Sequence, residues 1–364
     1  MDGSLKESER LLYSLRDMYR RYGYRSFRMS KFEKYELYAG NKDFLVSDRV
    51  ITFTDTNGDL LALKPDVTLS IIRNAEFRPG CKQKLCYQEN VYRPAGSSRQ
   101  FREIMQCGLE CIGDLDTYDL YEVLSLAAES LGAISEKSIL SVSHLGILKN
   151  LCCALKADEQ RQRELLRLVA GRSTCELEAL FQDQGWSTKL LDDLMSLLQM
   201  SCSLRELPEQ LKAMDLTWLD GSILKELEEL ACLIGEGSDQ MVFDLSVIND
   251  IHYYNGIVFQ GFVQGIAEKV LSGGRYDSLL QRLGRRGGAV GFAIYFGMLE
   301  QFLSSAELYD ADVLLLYDEE TPLKTVRDVL AQLQSSGLSV SAQRSEMSGR
   351  YREIRDIRGG AEYA

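Results

Sequence analysis

A glycine flanked by an amide and a carboxylate at alternate positions is the clearest chemical feature of this chain. In the run FREIMQCGLECIG, residues 101–113, successive side chains of a strand point to opposite faces, so Gln106, Gly108 and Glu110 share one face. The absent side chain leaves a hollow between the two polar groups, suited to a small ligand carrying ammonium and imidazole donors. The same pattern also describes a solvent-facing strand edge with a bulge glycine. In HYYNGIVFQ, residues 252–260, Tyr253 and Tyr254 point to opposite faces, and only one of them can reach that hollow. Paired tyrosines on a strand are also ordinary packing, and Asn255-Gly256 is also a hairpin-turn signal. In SGGRYDSLLQRLG, residues 272–284, the glycines permit close backbone approach ahead of a helix, where Arg275 can meet an anion. The spacing is neither GxGxxG nor GxxxxGK, so a structural turn is the competing reading. His252 is the right type for acid or base work near neutral pH. With no second histidine or cysteine at supporting spacing, it reads as a structural side chain.

Composition narrows the function classes. The nine cysteines, at 81, 86, 107, 111, 152, 153, 175, 202 and 232, form no CxxC pair, and there are two histidines. Zinc needs tightly spaced soft ligands, so no metal is expected, and the thiols are expected to act largely as small buried apolar groups in a reducing compartment. No cofactor is expected. The formal charge of -12 opposes extended binding to a polyanion, which depends on Lys and Arg neutralising phosphates. The start MDGSLKESER lacks an apolar signal core, and no stretch approaches the ~20 apolar residues that cross a bilayer. The expectation is a cytoplasmic protein bound neither to nucleic acid nor to membrane.

The elements that must position these residues are legible as patterns. Ser4 to Gly23 reads as an amphipathic helix with Leu11, Leu12, Leu15, Met18, Tyr19 and Tyr22 on one face, a Ser4–Glu7 capping box and Gly23 as its end. VITFT and LLAL flank DTNGD, a hairpin signal, and KPDVTLSIIRNA reads as a helix opening at Pro65 and Asp66. KLCYQENVYR and FREIMQCGLECIG are two long strands joined by PAGSSRQ. Residues 135–235 read as a helical insertion, with LCCALKADEQRQRELLRLVAG, STKLLDDLMSLLQM and SILKELEELACLIG as its clearest helices. Strands return at MVFDLSVI, and AVGFAIYFGMLEQFL reads as the helix that closes the core. Beyond Leu308 one βαβ unit is expected. The fold class is therefore α+β: a discontinuous core of residues 1–134 and 236–308, the insertion, and a short α/β segment over 309–364.

Taken in order, LKPDVT, YRPAGSSRQFREIMQCGLECIG, HYYNGIVFQ, SGGRYDSLLQRLG and AVGFAIYFGML resemble the class II histidyl-tRNA synthetase family across roughly residues 5 to 303. The resemblance implies an antiparallel sheet flanked by helices, and dimers formed through the first motif, here FRMSKFEKYELY with Ser30 where the family has proline. It also implies roles. Asp66 and Thr68 match the family's Pro-Glu-Gly-Thr, which holds the amino group of histidine. Gln106 matches the glutamine beside the amino and carboxylate groups, Glu110 the acid that reads the ring, and Tyr254 the tyrosine paired with it. Arg93 matches the carboxylate-side arginine once one residue is deleted from the following loop. Tyr253 and Arg275 complete the expected effector site.

The positions that would handle ATP depart from the family. Pro94 and Ala95 follow Arg93 where the family has Arg-x-Glu, Asn249 stands at the catalytic arginine, and Tyr295, Phe296, Gly297 and Met298 replace Gly-Leu-Glu-Arg. Adenylate formation needs fixed cations where phosphate charge develops, so no catalytic residue is expected. A kept histidine pocket, lost ATP cations and a shortened carboxyl-terminal part resemble the regulatory subunits of ATP phosphoribosyltransferase. That resemblance implies a short-form catalytic partner in a hetero-octamer, a dimer of this chain within it, and histidine as feedback effector in histidine biosynthesis. An active synthetase or amino-acid ligase with altered ATP contacts and a tRNA-sensing pseudo-synthetase are the alternatives.

Overall fold

The computed structural model describes residues 7–40, 49–75, 80–94, 100–235, 240–248, 254–303, 309–345 and 349–360. The chain divides into two compact units, Met1–Phe302 and Leu303–Ala364.

The first unit opens with α1 (Glu7–Arg21), where Leu11, Leu12, Leu15 and Tyr19 are buried. Gly23, at φ +85°, lets the chain turn away from it. Ser4 of the expected capping box lies outside the described residues. After β1 (Arg25–Ser26) come β2 (Phe32–Lys34), α2 (Glu36–Ala39), β3 (Thr52–Thr54) and β4 (Leu60–Leu63), which form a small sheet in the order β2-β4-β3. The expected hairpin is present, since β3 pairs antiparallel with β4 and Asn57-Gly58 lie between them. α3 (Thr68–Asn74) starts later than Pro65 and Asp66 suggest. Asp66 stays outside the helix and its Oδ1 accepts the Leu69 amide at 3.0 Å, a capping role open to an Asp in that position.

Next come β5 (Lys82–Pro94), β6 (Phe101–Gly113), α4 (Thr117–Ile134) and β7 (Ser138–His144). Asp116 and Asp119 cap α4 reciprocally, each side chain accepting the other's amide. β7 corrects the expected insertion, whose first ten residues belong largely to the main sheet. SILSVSH is a strand buried on both faces toward its end, so it carries no strong alternation to set it apart from Leu-rich helices. The helices that follow are α5 (Leu145–Ala154), α6 (Glu159–Ala170), α7 (Thr174–Gln184), α8 (Thr188–Gln199), α9 (Leu207–Ala213) and α10 (Gly221–Leu233). α5 and α6 replace a single expected helix. The chain breaks at Lys156, which adopts φ 52°, and Asp158 caps α6 by accepting the Arg161 amide at 2.8 Å.

The unit closes with β8 (Met241–Phe243), β9 (Ile257–Val263), β10 (Leu271–Arg275), α11 (Asp277–Arg282), β11 (Gly288–Tyr295) and α12 (Phe296–Leu303). Two expectations change here. LSGGR, expected as a turn, is strand β10, and the expected closing helix is strand β11 for its first half. Both runs are buried and glycine-bearing because neighbouring atoms occupy the space a side chain would need, which hides the period-2 signal. The eight-stranded sheet runs β1-β5-β6-β11-β10-β9-β7-β8. Its six central strands pair antiparallel, and the two end strands join in parallel. α1 and α4 pack on one face, where Tyr19 meets Phe292 edge-on at 6.0 Å and donates to or accepts from Ser130 at 2.9 Å. On the other face α3 and α11 share a core with Tyr87, Val91, Ile112 and Ala289.

In the second unit β12 (Ala311–Leu316) is the centre of a parallel sheet with β13 (Val340–Gln343) and β14 (Tyr351–Asp356), and α13 (Leu323–Ser335) connects β12 to β13. The expected βαβ unit thus gains a third strand. YREIRD was not legible as one because its side chains are mostly exposed and charged.

Candidate functional site

Register decides which residues can meet. Gly274, Gly291 and Glu110 are directly paired across β10, β11 and β6, and Ser272, Ala293, Gly108 and Tyr87 form the neighbouring row across to β5. These rows make a trough with a floor of glycine, alanine and serine, and the Tyr87 hydroxyl and the Glu110 carboxyl take up the space over Gly108 and Gly291. Glu110 and Gln106 stand in it, 2% and 5% exposed. The expected pairing of Gln106, Gly108 and Glu110 on one face is therefore present. The glycines are needed: a Cβ on Gly291 would lie 1.8 Å from Glu110 Oε2, and one on Gly108 would lie 2.7 Å from Tyr87 Oη.

Two hydroxyls hold the Glu110 carboxylate. Thr68 Oγ1, in the first turn of α3, donates to Oε1 at 2.8 Å, and Tyr276 Oη donates to Oε2. Burial pushes the carboxyl up to about 8. The Tyr276 and Thr68 hydrogen bonds pull against that rise, and the nearby Asp66 charge adds to it. At neutral pH Glu110 is thus a largely protonated acid beside two hydroxyls. It can accept from a donor ring or give up its proton when a cationic ligand enters. Asp66 is likewise raised by burial, against the Leu69 amide and the Arg93 charge.

Arg93, at the far end of β5, is 8% exposed and lies 5.9 Å above the Tyr295 ring. It is on the trough face, and it bears on Asp66 electrostatically. Tyr254 precedes β9, and its ring meets Tyr276 edge-on with centroids 6.4 Å apart. The structure therefore gathers Asp66, Thr68, Arg93, Gln106, Glu110 and Tyr254 around one trough. Tyr253, His252 and Asn249 lie outside the described residues. Met298 is on α12 and 38% exposed.

Arg275 is the exception. One residue along from Gly274, it faces the opposite side of the sheet, where its Nε donates to Asp277 Oδ2 at 2.8 Å. Strand parity excludes it from the trough, whatever its charge suggests. Its neighbour Tyr276 is the residue that sequence reasoning missed, although the same SGGRYD run contains it. Lys269 was also missed. Burial first, and then the neighbouring Arg93 charge, hold its amine below the usual lysine range. It is a lone lysine ahead of β10, and no pattern marks it. A buried ion pair of Lys64 with Glu89, the residue opposite Gln106, was a third omission.

Other features carry less. A cavity of about 190 Å³ opens on the opposite face, lined among others by Arg16, Arg28, Cys86 and Cys107. Cys107 is pushed up to about 12 by burial, so its thiol is a poor nucleophile. Five of the cysteines are buried (Cys86, Cys107, Cys111, Cys152 and Cys202), and four are exposed (Cys81, Cys153, Cys175 and Cys232). Among the described residues no helix is long and apolar enough to cross a membrane.

The sequence profile described as histidyl-tRNA synthetase matches residues 3–299. An ATP phosphoribosyltransferase regulatory subunit from Caldanaerobacter subterraneus subsp. tengcongensis is 29% identical over 289 residues, covering 77% of this chain and 74% of that one. A solved ATP phosphoribosyltransferase regulatory subunit/histidyl-tRNA synthetase from Bacillus halodurans C superposes with a TM-score of 0.75 at 24% identity, covering 99% of this chain and 97% of that one. A chain of the ATP phosphoribosyl transferase (HisG:HisZ) complex from Thermotoga maritima superposes with a TM-score of 0.63 at 23% identity, covering 81% and 98%. The class II synthetase fold expected from the motifs is the fold of this chain.

Proposed function

Starting from the fact that this chain belongs to the histidyl-tRNA synthetase family, we propose that it is a regulatory subunit of ATP phosphoribosyltransferase, required by a short-form catalytic subunit and carrying histidine feedback inhibition. The relatives with that name support the first part of the reading. The trough supports the second: a buried carboxyl held by Thr68 and Tyr276, with Gln106, Asp66 and Arg93 around it, offers partners to the imidazole, amino and carboxylate groups of a free amino acid.

The observation that carries the reading is Glu110. A carboxyl poised near pH 8 by burial is matched to a ring that itself gains and loses a proton near neutrality. On the ATP side, Asn249 and Met298 supply no positive charge to a developing phosphate, which supports a subunit without synthetase activity. Histidine acts through linkage, by binding two states of the assembly with different affinity. A dimer of this chain within a hetero-octamer, in the cytoplasm, completes the proposal.

The test is direct. Purified alone, the chain should bind histidine calorimetrically and show no histidine-dependent exchange of pyrophosphate into ATP. Measurable exchange would establish the synthetase alternative instead. A tRNA-sensing role requires a gel shift at physiological salt, which the net charge of -12 opposes.

A further inference from the structure

Behind the trough, on the other face of the sheet, three elements bring charged groups together. His144 ends β7 and caps α5: its Nδ1 accepts the Gly146 amide at 3.0 Å, which places the neutral ring's proton on Nε2. That Nε2 stands 3.9 Å from Glu226 Oε1 on α10. Arg275 Nη1 stands 3.9 Å from the same oxygen, while Arg275 Nε is already bonded to Asp277. Glu226 Oε1 and His144 Nε2 are both buried without a hydrogen-bond partner among the described residues. Each contact is about 1 Å longer than a normal N–H···O bond. The carboxylate is therefore close to two donors and bonded to neither.

Arg275 is covalently next to the pocket. Gly274 before it forms part of the trough floor beside Gly291, and Tyr276 after it donates to Glu110. Tyr276 and Arg275 share a peptide bond, so any displacement of Tyr276 is carried by the backbone directly to Arg275. A movement of about 1 Å is enough to close Arg275 onto Glu226.

We infer that Glu226 is the contact through which occupancy of the Glu110 trough reaches α10, the Arg275 guanidinium closing on its carboxylate when ligand binds. This rests on the reading of the trough as an amino-acid effector site. In the structure Glu226 stands in reserve between His144 and Arg275, and ligand binding commits it to Arg275. α10 is then gripped more firmly at Glu226, in addition to its separate bond from Thr117 on α4 to Glu229 at 2.7 Å.

Hydrogen exchange on the full chain, with and without saturating histidine, tests this alongside calorimetry. Histidine should slow amide exchange across Gly221–Leu233 by about fivefold or more in the wild type, a typical size for site-to-site coupling. Glu226→Gln should still bind histidine, within about tenfold of wild type, and lose that slowing. Thr117→Val, which loosens α10 by another route, should keep it. Histidine binding with no change in α10, or equal slowing in Glu226→Gln, would overturn the relay and leave the pocket reading intact. Absence of histidine binding would overturn both. Absence of that slowing in the wild type overturns the relay even where a variant fails to fold.

Discussion

Replacing Glu110 by glutamine should change how stability depends on pH. The folded chain holds this carboxyl at about 8, against an ordinary value of 4.5, mainly because burial disfavours its charge. The sign follows from proton counts. Between about pH 4.5 and about pH 8 the folded state keeps a proton that the unfolded state releases, so stability falls as pH rises through that window. Below it both states are protonated and the penalty is absent; above it the penalty is full and constant. At about 1.4 kcal/mol per pH unit, the loss between pH 5 and pH 8 approaches about 4 kcal/mol. Glutamine resembles the protonated acid in shape and does not titrate. Urea unfolding, followed by Trp186 and Trp218 in the first unit, should therefore give a variant-minus-wild-type difference that grows in the variant's favour from pH 5 to pH 8. Groups that do not bear on Glu110 titrate equally in both proteins and cancel; Asp66, whose charge couples to it, is the exception. A difference that stays constant with pH would refute the buried, raised carboxyl on which the site is built.

Tyr276→Phe removes one of the two hydroxyls on Glu110, and should cost about 1–2 kcal/mol in urea unfolding at pH 7 and weaken histidine binding; unchanged values would mean the bond contributes nothing. Gly291→Ala places a methyl 1.8 Å from Glu110 Oε2 and 2.4 Å from Leu109 O, so the carboxyl must leave its seat. Strain of about 1–3 kcal/mol and loss of histidine binding are expected, read by thermal unfolding and calorimetry; retained binding at unchanged Tm would show the trough to be plastic. Arg93→Met should weaken binding of histidine more than that of histamine, which lacks the carboxylate, and equal losses would remove Arg93 from carboxylate recognition.

The sequence made the trough half legible, and strand parity explains which half. β6 alternates cleanly because one face carries Gln106 and Glu110 among small residues and the other packs against α1 and α4, so its polar positions could be assigned before any partner strand was known. β10 and β11 offered no such signal. Gly273, Gly274 and Gly291 are glycines because backbone, an aromatic ring or the Glu110 carboxyl occupies the space beside them, and a strand without side chains has no periodicity to read. The choice of Arg275 over Tyr276 shows the cost: without the register, charge outweighed position, and position selects the tyrosine. Thr68 and Glu110, 42 residues apart, meet only because α3 packs on β6, a long-range fact that the motif resemblance supplied and local pattern could not. β7 and β14 were missed for opposite reasons, the first buried on both faces toward its end and the second mostly exposed.

The central claim is that this synthetase-fold chain regulates a partner by sensing histidine in the Glu110 trough. Its most direct measurement is the rate at which a short-form phosphoribosyltransferase joins ATP to phosphoribosyl pyrophosphate, alone, with this chain, and with this chain plus histidine. The account predicts stimulation by the chain, inhibition by histidine, and loss of that inhibition with stimulation retained in Glu110→Ala. A catalytic subunit indifferent to the chain, or histidine inhibition that Glu110→Ala leaves intact, would contradict it.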